Sequence, residues 1–355
     1  MKNYQQADRI QLVNSGSAYF TMLETLIAGA RETLELQTYI FENDETGRLV
    51  VAWLKAAAQR GVHVAVMADA FGSNGFTEKI IQELTSAGVR FRFFSPLFSA
   101  EGIAFGRRLH HKIVVADGQK ALVGGINIAD KYNALHEQQA WLDYAVLIEG
   151  RVCLGLYTLC RRLFARKQTQ LLRKTTEPLA GAASTKLIRF RRNDWLLGRN
   201  EIHRSYFEAI IAAQQRITLV ASYFLPGRAL RNLLRDASAR GVQIQIILAG
   251  KSDVPVLWLA ERYLYNFYLS NNIRIFHWNE SVLHGKAMTV DGKWATIGSY
   301  NLNYLSHYLI EVSTLRFPPI SIPVARPGRK TSAVSSSFPV EWYVTASLFM
   351  STRCI

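Results

Sequence analysis

Cysteine is scarce: 355 residues carry three, at Cys153, Cys160 and Cys354. The number is odd and the spacing fits neither a disulfide framework nor a zinc site. That excludes a disulfide-stapled module and points to a reducing compartment. There is no run of about 18 consecutive apolar residues, so no transmembrane helix is expected. "MKNYQQADRIQLVNSG" has no apolar stretch of the kind that drives secretion. Any membrane contact would be peripheral. Acidic residues are also short, 27 against 42 Lys and Arg, leaving a formal charge of +15. Such a surface attracts polyanions, either nucleic acid or an anionic membrane face, and charge alone does not choose between them. No carboxylate cluster suited to Mg²⁺ occurs. No metal and no cofactor is expected.

What is present is a chain written twice. Apolar residues make up 49% of it, enough for a large core or two domains. "LIAGARETLELQTYIF" (26–41) parallels "IIAAQQRITLVASYFL" (210–225), each a helix end, an apolar strand and an aromatic pair. "AWLKAAAQRGVHVAVMADA" (52–70) parallels "NLLRDASARGVQIQIILAG" (232–250), a helix closed by Arg-Gly and followed by a β-branched strand. "ELTSAGVRFRFF" (83–94) parallels "YLSNNIRIFHW" (268–278). Alternating strands and helices predict an α/β fold with mostly parallel sheets. Two such halves predict a pseudo-two-fold pair meeting at an interface. The expected organisation is a first half over 1–165, a polar linker over 166–186, a second half over 187–312 and an atypical tail over 313–355.

Each half ends its repeat with the same string. "HHKIVVADGQKALVGGIN" holds His110, Lys112, Asp117, Gly124, Gly125 and Asn127; "HGKAMTVDGKWATIGSYN" holds His284, Lys286, Asp291, Gly298, Ser299 and Asn301 at the same spacings. Alternation along a strand puts His110 and Lys112 on one face and His111 on the other. Each half thus offers an imidazole, an ammonium and a carboxamide to one place. That set suits phosphodiester exchange. Lysines and amides hold anionic oxygens and stabilise charge at phosphorus. One histidine attacks phosphorus while the other protonates the leaving alkoxide. Asn127, Asn301 and Ser299 are the expected phosphate contacts. Each histidine also needs an orienting acid, and Asp143 and Glu311 are the candidates; the sequence does not say which acid serves which histidine. On the residues alone Asp117 and Asp291 read as turn residues, since Asp-Gly is itself a turn signal.

The two strings match H-x-K-x4-D-x6-G-(G/S)-x-N, and the chain resembles the phospholipase D superfamily with its double HKD motif over residues from about 8 to 312. "QTYIFENDETG", "AAAQRGVHVAVMADAFGS" and "ERYLYNFYL" make it look most like the bacterial cardiolipin synthases of the B type. The resemblance implies two phospholipase D-like α/β/α sandwich halves. It implies a metal-independent transfer of a phosphatidyl group to phosphatidylglycerol through a phosphohistidine. His110 would be the nucleophile and His284 the acid and base. The motif counts Asp117 and Asp291 with the catalytic set. Phosphatidylglycerol or phosphatidylethanolamine would be the donor, on the cytoplasmic face of an anionic inner membrane. Hydrolysis by water, as in a phospholipase D, and an inactive membrane-binding relative are the alternative readings. Nucleases of the superfamily commonly carry one motif per chain, which argues against nucleic acid as partner.

Three further stretches stand out. The loop 94–111 carries Phe94, Leu97, Phe98, Ile103 and Phe105 with a basic collar of Arg107 and Arg108, suited to lipid entry or to packing. "CRRLFARKQTQLLRK" (160–174) mixes basic and apolar residues as a membrane-surface segment or a solvated helix face would. Residues 313–355 hold five of the nine prolines and a single acid, Glu341. A strand and helix like those after Asp143 are expected there, and the text instead reads as a frame-altered or lineage-specific tail.

Overall fold

The computed structural model describes residues 4–95, 98–99, 102–103, 108–136, 139–165, 186–194, 199–252, 254–302, 310–311 and 314–317. The expected linker and nearly all of the tail lie outside these residues, as do the side chains of Leu97, Phe98, Ile103 and Phe105.

The first half runs β1 (Arg9–Asn14), α1 (Ser17–Gly29), β2 (Thr33–Thr38), α2 (Glu45–Gln59), β3 (His63–Asp69), α3 (Glu78–Ser86), β4 (Arg90–Phe94), β5 (Lys112–Ala116), β6 (Lys120–Gly124), β7 (Tyr144–Glu149) and α4 (Cys153–Phe164). The second repeats it with α5 (Glu201–Ala212), β8 (Arg216–Ala221), α6 (Arg228–Ala239), β9 (Gln243–Ala249), α7 (Pro255–Arg262), α8 (Tyr265–Ser270), β10 (Arg274–Trp278), β11 (Ala287–Val290), β12 (Trp294–Gly298) and β13 (Thr314–Phe317). The sheets are ordered β1-β7-β6-β5-β2-β3-β4 and β10-β9-β8-β11-β12-β13.

Both sheets are mixed, which corrects the expectation of mostly parallel pairing. Only β2-β3-β4 and β8-β9-β10 run parallel. The remaining neighbours are antiparallel. The reason is local. Asp117-Gly118 and Asp291-Gly292 take positive φ at both positions, 51° and 62°, 53° and 61°. Gln119 N–H then donates to Ala116 O and Lys293 N–H to Val290 O, at 2.9 and 3.0 Å. That is the turn whose twist suits a two-residue hairpin, so each signature string folds back on itself.

Helix ends repeat as faithfully. Asp44 caps α2 by accepting Gly47 N–H. Arg60 and Arg240 close α2 and α6, followed by Gly61 and Gly241 with φ near 90°. The Arg60 guanidinium donates to the carbonyls of Ile27 and Ala28; that of Arg240 donates to Ile210 and Ile211. Each arginine thus ties its helix to the end of the preceding one.

Alternation along the central strands separates two cores. Val114, Leu122, Ala145 and Leu147 face α1, α2 and α3, while Ile113, Val115, Val123, Val146 and Ile148 face inward. The inward set meets Cys153, Leu156 and Cys160 of α4 together with Val220, Ala287, Ala295 and Ile297 of the second half. One apolar core therefore spans both sheets. Burial on both faces explains why these strands read as continuous apolar runs.

Candidate active site

Each signature string begins at the carboxyl end of its parallel strands. Lys112 pairs with Thr38, the last residue of β2. Ala287, next to Lys286, pairs with Val220 near the end of β8. The shared core then sets these two ends against each other. Leu142 N–H donates to Val282 O, and His284 and Gly285 N–H donate back to Leu142 O, at 2.8, 2.8 and 2.9 Å. From the other side Ser299 Oγ donates to His110 O at 2.7 Å. His110, Lys112, Lys286 and Asp143 are all buried, and His284 keeps 12% of its side chain exposed.

Asp143 serves the histidine of the opposite half. Its Oδ2 lies 2.6 Å from His284 Nδ1, while Oδ1 accepts Tyr144 N–H at 2.7 Å. The carboxylate thereby holds the ring with Nδ1 protonated and leaves Nε2 for chemistry. Gly125 makes room for it: a Cβ there would stand 2.3 Å from Asp143 Oδ1. Gly285 answers a similar constraint, since its Cβ would meet the Tyr144 ring at 2.6 Å. His110 Nδ1 is buried without a hydrogen-bond partner among the described residues.

Lys112 Nζ and Lys286 Nζ donate to the carbonyls of His110 and His284 respectively. Burial pushes the Lys112 ammonium well below its ordinary range, and the nearby Lys286 adds to that. Burial likewise lowers His284 to about 4, with Lys286 adding to it and Asp143 opposing. His110 falls well below the ordinary histidine range through burial, Lys112 and Lys286. Asp143 and Asp69 only partly offset the mutual repulsion of these crowded basic groups. An anion placed among them would offset that repulsion and raise the proton affinity of His110, Lys112 and His284.

Several candidate side chains are placed away from their expected roles. Asp117 and Asp291 are not at the reacting centre. Asp117 accepts the backbone N–H groups of Arg31, Glu32 and Thr33, and Asp291 those of Gln214, Gln215 and Arg216, at 2.8–3.0 Å. They sit at the far end of their hairpins, five residues along β5 from Lys112, roughly 16 Å away. These bonds hold both carboxyls below the usual range, against the desolvation that opposes them. Ser299 is not a free phosphate contact: it is buried and its hydroxyl is spent on His110 O. Asn127 is fully buried, accepting Ile40 N–H and donating to Tyr132 Oη. The position thus braces the site's wall more than it reaches substrate. Asn301 is half-buried and accepts Ser222 Oγ, leaving its Nδ2 as donor. Glu311 lies in a two-residue strand whose backbone pairs with Leu109. His111 is buried against Gln37, on the face away from Lys112. Phe94 is buried with Met67 and Leu109 and is not part of an exposed loop tip.

Sequence reading missed the aromatic lining. The Tyr39 ring lies 4.8 Å from His110, with Lys112 Nζ 5.1 Å from the same ring. Tyr132 and Trp141 flank His284 at 5.4 and 6.2 Å. The repeated aromatic pair in "QTYIF" and "ASYFL" was the available signal. Asp69 was missed too; it accepts Leu109 N–H at 2.7 Å and so fixes the chain entering His110.

A family model described as "Cardiolipin synthase, PLD-like domain" matches residues 23–151 and again 206–311. Cardiolipin synthase B from Shigella flexneri and that from Escherichia coli K12 are each 34% identical over 312 residues, 86% of this chain and 75% of theirs. A cardiolipin synthase from Geobacillus sp. WCH70 is 30% identical over 85% of this chain and 61% of its own. In fold the chain is similar to phosphatidylserine synthase from Haemophilus influenzae Rd KW20. The TM-score is 0.70 at 16% identity, over 89% of this chain and 83% of that one. Polyphosphate kinase from Porphyromonas gingivalis shares the fold with a TM-score of 0.57 at 17% identity, over 87% of this chain and 47% of that one. Two matches to one domain model, one for each histidine–lysine string, place the chain in the phospholipase D superfamily, in the family of cardiolipin synthase PLD-like domains.

Proposed function

We propose that the chain is a cardiolipin synthase that transfers a phosphatidyl group between phospholipids by way of a phosphohistidine. The family model and the relatives support cardiolipin synthase function. The single observation that carries the mechanism is the His284–Asp143 pair crossing between halves. A histidine backed by a carboxylate is suited to carry a proton, so His284 is the acid and base and His110 the nucleophile. His110 Nε2 attacks phosphorus and a P–N bond forms. The P–O bond to the donor's headgroup breaks, and His284 gives its proton to the departing alkoxide. The primary hydroxyl of phosphatidylglycerol then gives its proton to His284 and attacks phosphorus, releasing His110. Lys112, Lys286 and Asn301 hold the non-bridging oxygens. Glu311 orients His110: its backbone registers on Leu109, and His110 Nδ1 awaits a partner. Phosphatidylglycerol or phosphatidylethanolamine is the donor. The enzyme works as a peripheral protein at the cytoplasmic face of an anionic membrane. Among the described residues no helix is long and apolar enough to cross a bilayer.

The test is purified protein on vesicles of labelled phosphatidylglycerol, followed by lipid analysis. Cardiolipin with free glycerol is the expected product pair. Phosphatidic acid without cardiolipin makes water the acceptor and replaces the synthase with a hydrolase. His110→Ala should abolish turnover entirely; residual turnover would end the phosphohistidine route.

A further inference from the structure

The second half carries an apolar stripe that no described residue covers. Val256, Leu259 and Tyr263 are 75%, 62% and 86% exposed, at a spacing that lines them along one side of α7 and its carboxyl cap. Large side chains this exposed are unusual, and here three fall within eight residues. The opposite side of α7 is firmly anchored. Glu261 is buried and accepts Phe224 N–H at 2.9 Å, so the stripe is held outward and is not a fraying helix. Beside it lies a cleft of roughly 500 Å³ lined by Arg228, Arg231, Arg262, Tyr263 and Phe267. Arg262 is braced by stacking on Trp258, 3.6 Å from the ring centroid. From 254 to 270 the only acid is the buried Glu261. An exposed apolar strip beside a cationic pocket, with no exposed acid from 254 to 270, is complementary to an anionic lipid interface.

Its position in the fold matters as much as its composition. β8 and β9 run parallel, with Ala221 opposite Leu248, and the end of β8 lies beside Lys286. α7 leaves from that same end after β9. The stripe and the histidines therefore sit at one end of the second sheet.

We propose that α7 is the docking element for an anionic phospholipid bilayer. Val256, Leu259 and Tyr263 enter the interfacial layer, and the arginine cleft takes a phosphodiester headgroup. The proposal rests on the reading that the substrates are membrane lipids, and it names the surface that brings them to the site.

The test uses the full chain and co-sedimentation with vesicles of phosphatidylcholine alone or mixed with phosphatidylglycerol. Binding is expected only to the mixture and should weaken as salt rises from about 0.1 to about 0.5 M. The double variant Val256→Glu with Leu259→Glu should lower partitioning at least about tenfold, and the double variant Arg228→Gln with Arg231→Gln about 25-fold, about fivefold per arginine. Tyr263→Ser, on the most exposed of the three, should weaken binding in the same direction. The glutamate and Tyr263 variants should turn over micelle-free dihexanoyl-phosphatidylglycerol as the wild type does. Wild-type binding by the glutamate variant overturns the docking role, as does binding to neutral vesicles as tight as to anionic ones. A wild type that binds vesicles through α7 yet never turns over either lipid leaves the docking surface standing and defeats the synthase reading.

Discussion

Replacing Asp143 by asparagine tests the cross-half pair with little change in shape. The amide keeps the carboxylate's volume, so the space opened by Gly125 still suffices; an amide oxygen that keeps Tyr144 N–H puts the NH₂ where Oδ2 faced His284. What is lost is the charge 2.6 Å from His284 Nδ1. A hydrogen bond to a charged group contributes about 1.5–3 kcal/mol. At 1.36 kcal/mol per decade that predicts a loss of about 10- to 150-fold in kcat. An amide that turns its NH₂ toward the ring would favour the wrong tautomer and deepen the loss. The effect belongs to kcat more than to KM, because the pair acts when His284 takes up or gives away a proton. Quenched-flow or steady-state assays on monomeric short-chain phosphatidylglycerol would measure it without membrane binding intervening. Asp143→Asn protein with unaltered melting temperature and kcat within about threefold of wild type would show that the carboxylate does not support the acid–base step.

Three other expectations follow from the geometry. His284 is held at about 4 in the fold, against about 6.5 in the unfolded chain. Between those pH values the unfolded chain binds the extra proton, so stability falls as pH drops from about 6.5 to about 4, by up to about 3 kcal/mol. His110 shifts in the same direction and adds to it. Melting temperature against pH should show this slope, His284→Gln should flatten it, and an unchanged slope would refute the assignment. Asp117→Asn should cost about 1–2 kcal/mol of stability through weakened bonds to the 31–33 backbone. Its kcat per folded molecule should stay near wild type; a thousandfold fall would return Asp117 to the catalytic set. Gly125→Ala drives a methyl into Asp143 and should reduce kcat as Asp143→Asn does, with about 1–3 kcal/mol of strain besides. Full activity would mean the carboxylate has another resting place.

Much of this was open to a reader of the sequence, because it was written locally and twice. The paired His-x-Lys strings, the Arg-Gly helix ends and the strand alternation that separates His110 from His111 all depend on neighbours a few residues away. What escaped depends on distant partners. Asp143 and His284 are 141 residues apart, and nothing local says that a carboxylate of one half crosses to the other. The residues alone read Asp117 and Asp291 as turn residues, while the family resemblance counted them with the catalytic set. Only the backbone amides arriving from the ends of α1 and α5 show that they fasten a loop to a hairpin. The parallel pairing expected from helix–strand alternation holds for β2-β3-β4 and fails where the signature string doubles back. Tyr39 was visible as half of an aromatic pair, yet its contact with His110 needed the sheet register.

The hydrogen bond from Ser299 to His110 and the one from His284 to Asp143 have a mechanical meaning. Each active-site histidine is gripped by the half it does not belong to. The site is therefore a gauge of alignment: a slip of about 1 Å between the sheets would stretch both contacts beyond hydrogen-bond length. Apolar residues packed between the sheets thus hold the two histidines in register without touching them. Halves taken from two different relatives could fold well and still fail to make an enzyme.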